Sequence, residues 1–211
     1  MISKFETADE RQKRSDRTKM IFSIIMVSIL LMSVASFALF YNQSTSQESG
    51  STRYNNYKFV YSTEGWETSI KTTRGQYYIA TKYLPNDVEN INYLGSSISK
   101  NDFQSIIYLV AKTDAERAAA IEIDKNLIAQ KKETACLPED ANESACYNMT
   151  IKNCESANYL QKIIVLDETD NENETSIIYS SNCLRIKGSQ HNLIRAADKA
   201  VFMIFDIIKT Q

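Results

Sequence analysis

The sequence predicts an α+β fold: one N-terminal transmembrane helix, then an extracytoplasmic domain with a mainly antiparallel sheet and two packed helices. Three observations predict it. A long uncharged apolar run follows a basic tail. Beyond it, strand-like alternation and helix-like spacing come in separate groups, the mark of an α+β chain. All four cysteines lie on the far side of the run.

The apolar run comes first in chain order. No charged residue stands between Met20 and Gln47, and 20–41 is apolar or small almost throughout. As a helix it would be about 33 Å long, enough for a hydrocarbon core of about 30 Å. Residues 1–19 carry six basic and four acidic groups. Five of the basic groups crowd into 11–19, which places this tail in the cytoplasm by the positive-inside rule. A cleaved signal peptide is the alternative, with Ser36-Phe37-Ala38 as its processing site. The long charged leader and the length of the run favour an anchor. A type IV pilin start would need a small residue after a basic one at the cleavage point before the apolar run, and usually a glutamate early in that run, and neither is present.

Residues 42–53 hold no apolar side chain and read as a flexible stalk. The domain is expected over 54–211. Tyr57–Tyr61 alternates as a strand. Trp66–Thr72 and Gln76–Tyr83 form a hairpin about Thr73-Arg74-Gly75. Pro85 ends it, and 87–94 suits a short helical turn. Gln104–Lys112 is apolar enough for a central strand. Thr113 and Glu116 make a capping box that opens a helix running to about Lys132, with Ala119, Ala120, Ile123 and Leu127 on one face. A polar, cysteine-bearing stretch occupies 133–158. Gln161–Leu166 and Ser176–Ser180 read as strands around an acidic loop at 167–174, with Leu184–Lys187 continuing the second. Ser189 is the expected N-cap of a last helix over 190–208.

Net charge is −2 over 211 residues, and the part after residue 19 is acidic. That balance points away from nucleic acid. Four cysteines outside a membrane imply two disulfides. Of the three pairings, Cys136–Cys146 and Cys154–Cys183 are favoured. The first clips a local loop, and the second ties that region to the strand before the last helix. There is no CxxC, and His191 is the only histidine, so a zinc site is not indicated. Four sequons begin at Asn42, Asn142, Asn148 and Asn173, all on the outer side and in expected loops, as candidate glycosylation sites.

No residue stands out as catalytic, cofactor-binding or metal-ligating. The run Asp167–Glu174 offers oxygen ligands but lacks the glycine and spacing of an EF-hand, and a solvated hairpin tip explains it. No GxSxG, HExxH or P-loop occurs. The tyrosine-rich strands and the apolar tail at 201–208 read as core before they read as binding surface. The apolar N-terminal span, the loop cysteines, Asn182-Cys183 leading into a strand, and Arg195-Ala-Ala-Asp-Lys199 in a closing helix resemble uncharacterised single-pass membrane proteins of small-genome archaea, mainly over 176–208. The resemblance implies a place on the outer face of a cell membrane and no activity.

The expectation is a non-catalytic interaction module or accessory subunit of a membrane or envelope complex. Its partners would be the lipid bilayer and a protein of the same membrane or envelope. A surface hydrolase with an unidentified acidic site and a structural component of the envelope are the alternatives.

Overall fold

The computed structural model describes residues 19–30, 32, 50–72 and 75–209. The chain divides into two units, Met1–Ser49 and Gly50–Gln211. In the first, residues 19–30 and 32 are helical (α1) with exposed side chains. The expected tail, the rest of the expected span at 31 and 33–41, and 42–49 of the expected stalk lie outside the described residues, apart from Lys19. Among the described residues no helix is long and apolar enough to cross a membrane.

The second unit opens earlier than its side chains suggest. Ser51–Tyr54 is a strand (β1), so the last residues of the expected stalk belong to the fold. A strand needs backbone partners more than apolar side chains, and β1 takes its partners from Tyr57–Ser62 (β2). Gly65–Thr72 (β3) and Gly75–Thr81 (β4) complete a four-stranded antiparallel sheet, β1-β2-β3-β4. The expected turn at Thr73 and Arg74 lies outside the described residues, and Thr72 pairs with Gly75 across it.

Pro85–Val88 is a single helical turn (α2), followed by Asn92–Gly95 (β5) and Ile106–Val110 (β6). Thr113 Oγ1 accepts from the Glu116 amide at 3.2 Å, and the Glu116 carboxylate accepts in turn from the Thr113 amide, so the expected capping box opens Asp114–Asn126 (α3). α3 stops six residues before the expected Lys132. The chain then forms Lys131–Cys136 (β7), parallel to β6 across a strand-helix-strand crossover. Lys131, Lys132 and Glu133 hide this strand from pattern reading because it lies near the rim of the sheet.

Thr150–Ile151 (β8), Gln161–Glu168 (β9), Ser176–Ser180 (β10) and Cys183–Gly188 (β11) follow. β10 and β11 are two strands and not one. Ser181 and Asn182 both take positive φ, 49° and 68°, and reverse the chain in two residues, the backbone a tight hairpin favours. β11 thus slots between β9 and β10 in a seven-stranded sheet, β5-β10-β11-β9-β6-β7-β8. The α+β class holds. Antiparallel pairing rules the first sheet and the β10–β11 pair, while the other neighbours in the second sheet run parallel. Helical or looped crossovers join those neighbours. At the β5 edge, Gly95 at φ 121° lies so close that a Cβ would stand 2.0 Å from the Tyr179 carbonyl oxygen, so only glycine closes that pair.

The last helix is Gln190–Ile204 (α4), with Ser189 at its N-cap position. The Ser189 backbone, not its side chain, makes the bond, accepting from the Leu193 amide at 2.8 Å. The helix ends before the expected 208. Asp206 at φ 59° turns the chain, and Ile207 N–H bonds back to Phe202 C=O at 2.8 Å. This is a Schellman closure with aspartate where glycine is usual. α4 packs on α3 and on β9–β11. Phe202 meets Phe59 of the four-stranded sheet edge-on at 5.9 Å. Ala196 through Ile204 are therefore buried on every side. One apolar core joins both sheets with α2, α3 and α4, and a smaller one covers the far face of the seven-stranded sheet beneath Leu137, Cys154 and Ala157.

Candidate functional site

Both favoured disulfides are present, Cys136–Cys146 and Cys154–Cys183, with Cα separations of 5.9 and 5.2 Å. They brace the polar stretch at 137–158, which folds as three 3₁₀ turns and β8. The first bridge closes a loop rooted at the C-terminal end of β7. Asn142, Asn148 and Asn173 are exposed on turns, where a glycan has room, and Asn42 lies outside the described residues.

That disulfide loop forms one wall of a groove of about 770 Å³. α3 forms the other wall through Arg117, Ala120, Ile121 and Asp124. Leu109 of β6 and Thr134 and Cys136 of β7 form the floor. The groove exists because α4 packs on β9–β11 and α3 on β9 and β4, and neither packs closely on the inner face of β7. It lies by the carboxyl ends of two parallel strands, the usual place for a ligand in such sheets.

Charges on the groove cancel locally. Lys112, at the end of β6, reaches Asp140 at 2.8 Å and Glu143 at 2.7 Å, and these bonds hold its ammonium above the usual lysine range, Asp140 contributing most. Lys132 pairs with Asp124 at 3.2 Å, and Arg117 with Asp114 at 2.8 Å. Asp140 and Glu143 converge as a pair of catalytic carboxylates would, but Lys112 bonds both.

The other sequence candidates are dispersed. Glu174 of the acidic run binds Lys187, which lowers its pKa, while Glu168 gives its backbone N–H to Glu116. Among the described residues no three metal-ligating side chains converge. His191 is exposed in the first turn of α4, 3.4 Å from the Tyr83 hydroxyl. Tyr57 and Tyr77 pack against the core, Tyr61 lies exposed against Trp66, and the tail from Val201 to Ile208 is core apart from Asp206.

A second polar cluster escapes sequence reasoning. Asp198 of α4 is wholly buried. Its Oδ2 accepts from the backbone amides of Lys82 and Tyr83, each at 2.9 Å, and Oδ1 has no hydrogen-bond partner among the described residues. Burial pushes its pKa up to about 7, with help from nearby Glu122, while the two amides and Lys125 oppose the shift. Asn126 of α3 binds both the amide and the carbonyl of Ala80 at 2.8 Å. Lys199 donates to the carbonyls of Glu89 and Ile91, and burial lowers its pKa. All three side chains serve backbone groups of the sheet edge and the α2 turn and do not line the groove, so they are structural.

No family model, no curated protein and no solved structure matches the chain.

Proposed function

We propose that the chain is a membrane-anchored extracytoplasmic interaction module, an accessory subunit of a membrane or envelope complex that acts by binding and not by turnover. The observation that carries this reading is the order of parts. A basic tail and an uncharged apolar run precede a unit braced by two disulfides. Disulfides persist in oxidising compartments, and the run has the length and flanking charge of an anchor. The exposed sequon asparagines at 142, 148 and 173 agree with an outward-facing unit.

Alkaline carbonate extraction of native membranes, external protease, and purification in mild detergent with mass spectrometry test the reading together. The expected outcome is a chain that stays with the membrane, is cut from outside, and co-purifies with one protein at fixed stoichiometry. Release by carbonate, protection from external protease, or a partnerless chain with substrate turnover would each overturn it.

A further inference from the structure

We propose that the groove between α3 and the Cys136–Cys146 loop is a binding site for a neutral, mostly apolar small molecule bearing one or two hydrogen-bonding groups. Its size sets the class. The volume, about 770 Å³, lies within the ordinary range for small-ligand sites. The floor along β7 from Lys132 to Cys136 is about 13 Å long at the usual rise of a strand. That length and volume suit a planar or extended small molecule.

The lining sets the polarity. Ala120, Ile121, Leu137, Ala145 and Met149 give apolar walls, and methionine adapts to irregular shapes. Ile121 stands 64% exposed on the wall. Each lysine and arginine of the lining already holds a carboxylate, so a charged ligand would have to break a pair to find a partner. Thr134 and Thr150 line the groove and carry neutral donors and acceptors suited to a ligand carbonyl or hydroxyl. The disulfide wall and the Lys112 contacts fix the shape before a ligand arrives, which lowers the ordering cost of binding.

The test is photolabelling of the full chain with benzophenone, a neutral apolar ketone, followed by peptide mapping. Labelling is expected to concentrate in peptides covering 114–126 and 131–150. Ile121→Asp places a charge on the apolar wall, and Thr134→Trp fills the floor. Each is expected to cut groove labelling at least tenfold, with the Trp66 emission of Ile121→Asp unchanged. A benzophenone carboxylate is expected to label the groove at least tenfold less. Label spread evenly along the chain, labelling indifferent to Ile121→Asp, or equal labelling by the carboxylate would overturn the proposal. The inference goes beyond anchoring and partner capture, and its readout is a label position, so its failure leaves the co-purification result standing.

Discussion

Replacing Asp198 with asparagine should change how stability depends on pH. The carboxyl is wholly buried, Oδ2 holds two backbone amides, and its folded pKa is about 7 against an ordinary 3.8. A raised carboxyl pKa means that the folded chain binds this proton more tightly than the unfolded chain. The stability it contributes is full below about pH 3.8, falls as pH rises toward 7, and is flat above. At about 1.4 kcal/mol per pKa unit, the loss between pH 4.5 and pH 8 is about 3 kcal/mol. The charged and polar groups around it are Glu122, Lys125, and the amides of Lys82 and Tyr83.

The side chain of Asp198→Asn keeps an oxygen for the two amides and carries no charge at any pH. The ordinary acid sensitivity of surface carboxylates is shared by both chains and cancels in the difference. Urea unfolding of both, followed by the single tryptophan Trp66, measures that difference. Asp198→Asn should be close to wild type at pH 4.5, within the cost of one unpaired amide group. It should gain about 3 kcal/mol on wild type by pH 8. A stability difference that is the same at both pH values would refute the reasoning, because it would mean that Asp198 does not titrate in this window.

Asn126→Ala removes three bonds, two to Ala80 and one to the Glu122 carbonyl, and should cost about 3 kcal/mol in the same urea assay. The two disulfides should differ in worth. From loop lengths of 10 and 29 residues, replacing both cysteines of Cys136–Cys146 should cost about 3 kcal/mol and of Cys154–Cys183 about 4, read as separate shifts in urea midpoint. A larger loss from the shorter loop would mean that the bridge at 136 supports packing beyond its own loop.

Local signals were legible where the cause was local. Thr113 and Glu116 sit three apart, and their reciprocal bonds form as such spacing dictates. Alternation from Trp66 onward marked the hairpin, and apolar spacing from Leu193 marked α4. What escaped depends on distant neighbours. Lys131-Lys132-Glu133 is strand because β6 lies beside it, not because its side chains prefer it. Ser181-Asn182 makes a turn without glycine. Asp198 lies in Ala-Ala-Asp-Lys-Ala, a run that reads as a polar stripe on a surface helix. It is buried because layers close over α4 from both sides, and its partners are the amides of Lys82 and Tyr83, more than a hundred residues earlier. The groove escaped for the same reason, since the covering of a sheet face follows from where the helices end up.

The edges of the two sheets explain where a binding surface is left. An open strand edge presents unpaired backbone groups, which invite strand addition from other chains. β4 is an edge strand; Asn126 satisfies its outward groups at Ala80, and Asp198 those of Lys82 and Tyr83 just past its end, with side chains from two helices. That closes the edge at the cost of burying a carboxyl, and it draws α3 and α4 toward the four-stranded sheet. The same helices then stop short of β7, whose surroundings are managed differently, by exposed lysines at 131 and 132 and by the disulfide loop. The polar stitches at β4 and the groove beside β7 are thus two consequences of one arrangement. Two helices lie between two sheets, and the larger sheet is wider than the pair can cover.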